Sequence, residues 1–286
     1  MHTLGLIIVS YNQESLIKRC VDSILQQSGS FDEILVFDDF SSDLSYEQFL
    51  KEEKHLKHKT KSLRLIKNES NLGIYQNCHK AYGICKCEYV TILAADDVLA
   101  PNHIEICRIY LNRYYNKNQK IFIYNFTLIR GKSRFRWNNY KLRNQDTIIN
   151  MLQGRLSDRN LCVSTELKLM ENRPLLAKDY AEIGYGVDLI AKLRVSSYVD
   201  QVVFVDNNIG FYHAGIGVSS DRLKERYQNE ALTFHVAKSF LNRKYHSYCD
   251  FRLNAARFAL NPLNIVALLK ALLHLIISLF TTHNIK

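Results

Sequence analysis

A chain of 286 residues with 47% hydrophobic content has room for one large domain, or for a domain with an appendage, around a substantial core. Three prolines and eleven glycines exclude collagen-like or long low-complexity stretches. The net charge of +10 asks for an anionic partner: nucleic acid, an acidic membrane surface or a diphosphate.

Leu4–Val9 reads as a buried strand, and Ser10, Tyr11 and Asn12 as a turn. No basic region precedes this strand and no small-residue cleavage site follows it. A signal peptide is therefore not expected, and a cytoplasmic location is. Leu16, Ile17, Cys20, Val21, Ile24 and Leu25 recur with helical period; Lys18, Arg19, Asp22 and Gln26 take the other face. Gly29 ends that helix. Glu33–Asp38 is a second strand, running into the acids Asp38 and Asp39. Ser41, Ser42 and Asp43 are expected to cap a helix from Leu44 to Lys54. Leu63–Ile66 is a short strand. Asn71-Leu-Gly-Ile74 turns into a helix expected to bury Ile74, Cys78, Ala81, Tyr82 and Cys85.

Tyr89 begins an apolar run that ends in Asp96 and Asp97. Such a run reads as a strand covered on both faces, with the acids at its carboxyl end, where open α/β sheets bind ligands. Two adjacent like charges there call for a cation, and hard carboxylate oxygens suit Mg²⁺ or Mn²⁺ carrying a phosphate. A solvated turn after a strand is the competing reading. Pro101 suits the first turn of a helix reaching about Tyr115. Strand and helix have by then alternated four times, the pattern of a parallel α/β sheet.

Lys120–Tyr124 should be one more strand. Thr127 to Gln145 is basic and aromatic with little period, including Arg130, Lys132, Arg134, Phe135, Arg136 and Trp137. No nucleic-acid motif accompanies this charge, and none is expected to bind. Asp146 caps a short helix through Leu152, while Asn160 to Leu169 stays ambiguous. Ile183–Asp188 is a glycine-rich turn feeding a helix at Leu189–Val195; Tyr198–Val205 is a strand; Phe211–Ser220 is expected to be a loop holding His213. The seven cysteines read as reduced thiols. Cys85 and Cys87 are one residue apart, lack zinc-knuckle spacing and have no matching pair downstream.

Everything from Arg222 onward looks helical. Ile265 to Phe280 is almost wholly apolar, but Lys270, His274 and Ser278 form one narrow polar stripe. That suits a helix lying in a membrane interface better than one spanning it, with Arg252, Arg257 and Lys270 near anionic head groups. A terminal helix folded onto the domain is the alternative.

Val9-Ser-Tyr-Asn12, Asp38-Asp39, Asn71-Leu-Gly73 and Asp96-Asp97, in this order over about 100 residues, resemble the nucleotide-sugar half of a family 2 glycosyltransferase of the GT-A fold. Gly186-Val-Asp188, the strand to Val205, Tyr212-His213 and Ser219-Ser220 look like the acceptor-side segment. The resemblance implies a mostly parallel sheet flanked by helices. A nucleotide-binding half would span 1–118 and an acceptor half 119–220, followed by a helical extension at 221–286. It implies inverting transfer from a UDP-sugar, with Mn²⁺ or Mg²⁺, to a glycan or lipid-linked glycan in cell-surface polysaccharide, O-antigen or lipooligosaccharide synthesis. A peripheral position on the inner face of the cytoplasmic membrane fits the amphipathic end.

Residue by residue, Ser10, Tyr11, Asn12, Asp39, Asn71 and Asp96 would hold the donor. Tyr11 would stack on the base, Asp39 would accept from the uracil N–H, and Asp96 would reach the ribose or sugar. Asp97 matches the metal-binding acid of the family's DXD-type motif; the first acid is replaced by Ala95. His213 would be a second ligand. Asp188 would be the general base, with Asp179 and Glu182 competing. The family's usual Glu-Asp is Val187-Asp188 here. A helix N-cap (Asp188), a backbone-bonded loop histidine (His213) and a core tyrosine (Tyr11) are the structural alternatives. Arg134 and Arg136 would grip an acidic acceptor or lie in a solvated loop. Two other functions compete: a nucleotidyltransferase, whose glycine-rich basic loop Ser10-Tyr11-Asn12-Gln13 lacks, and a non-catalytic nucleotide-sugar-binding or membrane scaffold protein.

Overall fold

The protein is described by a computed structural model covering residues 2–114, 120–130, 132–137, 147–152, 160–164, 187–197, 201–213 and 223–283. Three strands lead: β1 (Leu4–Ser10), β2 (Glu33–Asp38) and β3 (Leu63–Lys67). With β4 (Tyr89–Ala94) they form a parallel set in the order β3-β2-β1-β4. Every residue of β1 and β2 is buried, which is why both read as unbroken apolar runs. Leu6, Ile8, Ile34 and Val36 face one core with Ile17, Cys20, Val21 and Ile24 of α1 (Glu14–Leu25) and Phe49 and Leu56 of α2 (Ser45–Lys57). On the other side of β1 and β2 packs α3 (Gly73–Ile84), through Ala81 and Tyr82. Each such aliphatic side chain, fully buried, stabilises by roughly 1.5–3 kcal/mol.

Beyond β4 the sheet becomes mixed. β5 (Val98–Leu99) and α4 (His103–Arg113) follow, with Pro101 in the turn before the helix rather than inside it. β6 runs from Lys120 to Arg130, six residues longer than expected. It turns back into β7 (Ser133–Trp137), so the basic, aromatic stretch begins as an antiparallel hairpin. The ambiguous segment resolves into β8 (Asn160–Ser164), which lies antiparallel between β4 and β6. β9 extends from Gln201 to His213, parallel to β6 and antiparallel to β5. The expected loop at Phe211–His213 is therefore strand. The polar run Asp206-Asn207-Asn208 had hidden this: the pairing jumps from Tyr124–Val205 to Asn125–Asn208, a bulge that sets two residues aside without ending the strand.

Smaller corrections concern caps and faces. Leu44 is the N-cap of α2; Asp43 accepts from the Ser45 amide, while Ser41 belongs to the β2 end. Ile74 is 52% exposed, and Asn77 takes the buried slot of α3 instead.

These strands and α1–α4 make one compact unit. A second is helical: α5 (Thr147–Leu152), α6 (Val187–Ser197), α7 (Leu223–Ala237), α8 (His246–Leu260) and α9 (Ile265–His283). Asp146 lies outside the described residues. Arg252 of α8 is engaged inside this unit rather than waiting for a head group. It donates to the Leu152 carbonyl at 2.9 Å, pairs with Glu230 and sits over the Phe234 ring. Helix α9 meets α8 along a narrow seam that buries Ala271, and leaves Val266, Leu269, Leu273 and Ile277 at least half exposed. No helix among the described residues is long and apolar enough to cross a membrane.

Candidate functional site

The carboxyl ends of β2, β1 and β4 lie side by side, because Ser10 pairs with Asp38 and Val9 with Ala94. What each strand carries past its end is thereby gathered at one edge. After β1 the chain turns sharply at Asn12, at φ 51°, a left-handed conformation that Asn tolerates better than most residues. The Asn12 side-chain oxygen accepts from the Ser42 amide at 2.9 Å, and the Asn12 amide donates to the Ser41 hydroxyl at 2.9 Å. Asn12 thus laces two loops together. Tyr11 is left 41% exposed, which removes the core-tyrosine reading. The Ser10 hydroxyl is buried and finds no partner among the described residues.

The two acids after β2 do different things. Asp38 is fully buried and accepts from both the amide and the hydroxyl of Ser41, at 2.9 and 2.6 Å. Asp39, 3% exposed, accepts from the Leu72 amide at 2.8 Å, the Gly73 amide at 2.8 Å and the Asn68 side chain at 2.9 Å. Three of its roughly four lone-pair sites are therefore taken. Asn71 helps by accepting from the Gly73 amide at 3.0 Å. Gly73 stands at φ 77°, where a side chain would be strained even though the space beside it is open. Behind Asp39, Asn68 donates to Asn77, and Lys80 donates to Asn68. Asn68, Asn77 and Arg19 are the residues that motif reading missed. A polar side chain one helical turn before the buried Ala81 was the available signal for Asn77.

After β4 the Ala95 amide still bonds to the Val9 carbonyl, and the chain then turns with the Asp97 amide on the Ala94 carbonyl. Arg19 reaches up from α1 to the Asp96 carbonyl at 2.5 Å and so holds the turn from beneath. Asp97 is 7% exposed and Asp96 half-buried. Their field is felt nearby: burial pushes the Cys20 thiol up, and the charges of Asp97 and Asp96 push it further. Adjacent hard-oxygen donors are the kind of donor set a divalent cation takes. His213 comes to the same region by its backbone. Phe211, two residues before it on β9, pairs with Val98, the residue after Asp97.

Asp188 is the second residue of α6, not its N-cap. Its side chain, and Asp179 and Glu182, lie outside the described residues, as do Gly186 and Ser219-Ser220. Arg134 is exposed on β7; Arg136 pairs through its backbone with Thr127.

The model of the family described as Glycosyl transferase family 2 matches residues 6–170, more than half of the chain. The chain belongs to that family. This family 2 chain is 30% identical over 103 residues to an uncharacterized glycosyltransferase of Methanocaldococcus jannaschii, covering 36% of this chain and 34% of the relative. It is 29% identical over 105 residues to glycosyltransferase GlyG of Streptococcus pneumoniae serotype 4, covering 36% and 33%. The match thus spans about a third of the length of these curated relatives. Among solved structures, S. aureus TarS 1-349 in complex with UDP-GlcNAc superposes with a TM-score of 0.64 at 15% identity, covering 96% of this chain and 81% of that one. The Pyrobaculum calidifontis mannosyltransferase PcManGT, in complex with GDP-Man and Mn²⁺, gives 0.59 at 14%, covering 100% and 76%. At such identities the likeness concerns the fold, which is GT-A: a sheet with a parallel leading half, flanked by helices, and further helices late in the chain.

Proposed function

We propose that this chain is an inverting glycosyltransferase that moves a sugar from a UDP-sugar to a hydroxyl of a glycan or lipid-linked glycan in cell-envelope polysaccharide synthesis. One observation carries the reading: an exposed aromatic ring, a buried hydroxyl without a partner among the described residues and two adjacent carboxylates converge at the carboxyl ends of three neighbouring parallel strands. The complexes of TarS with UDP-GlcNAc and of PcManGT with GDP-Man and Mn²⁺ support a nucleotide-sugar donor and a metal, without choosing the base.

In this reading Tyr11 offers its face to the base and Asp39 its remaining lone pair to the base N–H. Asp39 also shapes the pocket by fixing Leu72 and Gly73. Asp96 binds the ribose or sugar. Asp97, with His213 as second ligand, would hold a divalent cation, whose charge offsets that developing on the departing diphosphate. Asp188 takes the proton of the acceptor hydroxyl as its oxygen attacks the anomeric carbon. The bond from that carbon to the diphosphate oxygen breaks on the opposite face, and UDP leaves with the electron pair.

The test is a thermal-shift series with UDP and GDP, each with and without Mn²⁺, joined to an assay of UDP-sugar hydrolysis. UDP with Mn²⁺ should give the largest rise, since a ligand of the native state stabilises by mass action. Asp97→Ala should lose both the metal-dependent part of that rise and the hydrolysis. An equal response to GDP would remove the uracil role of Asp39; hydrolysis unchanged in Asp97→Ala would remove Asp97 as the metal ligand. A thermal shift with UDP but no hydrolysis by the wild type would leave a non-catalytic binding protein as the better reading.

A further inference from the structure

A second cluster of ligating atoms sits at the opposite, amino-terminal end of the same strands. We propose that Glu33, Cys85 and Cys87 form a binding site for a thiophilic divalent cation, best matched by Zn²⁺. The carboxylate of Glu33 and the sulfurs of Cys85 and Cys87 all lie within 4.8 Å of one another. Among the described residues this is the one place where three such ligands gather. A tetrahedral zinc with bonds of about 2.0–2.3 Å sets its ligand atoms roughly 3.5–3.8 Å apart, so a contraction of about 1 Å closes the site.

The surroundings are arranged for it. Cys85 ends α3 in an extended conformation, φ −67° and ψ 132°. Alternate residues of extended chain point the same way, so a single intervening residue directs both sulfurs to one side. Gly5 of β1 lies beneath them. A Cβ there would meet the Cys85 sulfur at 3.2 Å and Cys87 Cβ at 3.3 Å, so the missing side chain makes room for the pair. Glu33 is 3% exposed and held on both oxygens, by Arg64 at 2.5 Å and by the Lys86 amide at 2.8 Å. Arg64 also donates to the Ile84 carbonyl at 2.7 Å, tying the same corner together. Each carboxylate oxygen keeps a lone pair for a metal. Outer contacts of this kind orient metal ligands.

Charge balance selects the ion. Two thiolates and one carboxylate bring three negative charges; a divalent cation and Arg64 together neutralise them. On binding, each thiol releases a proton to solvent as its sulfur takes the metal. Sulfur donors favour zinc over the hard cations suited to Asp97. Cys85, the more exposed ligand, leaves the fourth position open to water. The ion would pin the start of β2 to the segment joining α3 and β4. Sequence spacing hid the site because its third ligand lies on another strand.

The test is titration of the reduced full chain with Co²⁺, then Zn²⁺. A single equivalent of cobalt should produce sulfur-to-cobalt charge-transfer absorption, zinc should bleach it, and the thermal midpoint should rise. Cys85→Ser and Cys87→Ser should each weaken binding about tenfold or more, with circular dichroism reporting that the variants fold. Absence of the charge-transfer band in the folded wild type overturns the proposal whatever the variants do. So does a band that persists undiminished when Cys85→Ser and Cys87→Ser are combined, which would assign it to the buried cysteines elsewhere. Neither result touches the nucleotide site.

Discussion

The carboxylate of Asp39 organises a loop before it meets any ligand. Replacing it with Ala takes the acceptor from N–H donors on Asn68 and Leu72, and leaves the Gly73 amide with Asn71 alone. An unsatisfied buried donor costs roughly 1–3 kcal/mol. Partial access to water at Leu72 and Gly73 softens this, so Asp39→Ala is expected to lower unfolding free energy by about 3 kcal/mol in urea titration. Asp39→Asn, made for comparison, keeps one acceptor oxygen for these donors and should lose less, about 1–2 kcal/mol. Equal losses in the two variants would remove the Asp39 carboxylate as the acceptor that holds this loop. The motifs exposed Asp39, Asp96 and Asp97 in the sequence, because acids at strand ends are visible in one dimension. Asn68 and Arg19 were not legible. Asn68 acts through Asp39, 29 positions away, and Arg19 looked like the solvated face of α1 until it reached the Asp96 carbonyl.

Among the elements, the parallel strands were readable because burial on both faces leaves an unbroken apolar run. The second half of the sheet was not, for two physical reasons. A bulge in β9 concentrates polar residues where a strand was expected to end, and β6–β7 form a hairpin whose basic side chains resemble a loop. Helix α9 was legible as amphipathic, and the structure sharpens which face matters. Leu268, Ala271 and Leu275 are the less exposed side, while Ile265, Val266, Leu269, Leu273 and Ile276 stand out with Lys270 at their border. Such a face suits the head-group boundary of an anionic bilayer. In co-sedimentation with anionic vesicles, a fraction of the chain is expected to bind. The pair Leu269→Glu and Leu273→Glu should reduce it about tenfold or more, each exchange removing apolar burial and adding repulsion. Unchanged sedimentation of that variant would leave α9 a helix that serves its own unit.

For the molecule as a whole, the amino-terminal end of the sheet is also a site of acid sensitivity. Asp32 accepts from the Leu4 amide at 2.9 Å and pairs with Arg108 and Lys61, each at 2.7 Å. Burial works against its charge, but Lys61, Arg108 and that amide prevail and hold its carboxyl down at about 2, below the ordinary 3.8. A depressed folded-state value means stability that is complete above the unfolded value and lost as pH falls through the folded one. After allowance for the exposure of Lys61, this amounts to about 1–2 kcal/mol. Denaturation followed from pH 4 to pH 2 should therefore show a steeper loss in wild type than in Arg108→Met, across the interval between the ordinary value of 3.8 and about 2. Parallel curves would remove Asp32 as the source. The order of strands also bears on how this protein can be divided. β8 occupies the flank of β4, and β9 that of β5, although both come late in the chain. A fragment stopped after α4 would present β4 as a bare edge, ready to recruit a second copy or to nucleate aggregates. Hybrids that exchange donor and acceptor specificities must accordingly carry β8 and β9 with the amino-terminal strands, and place their junctions outside the sheet.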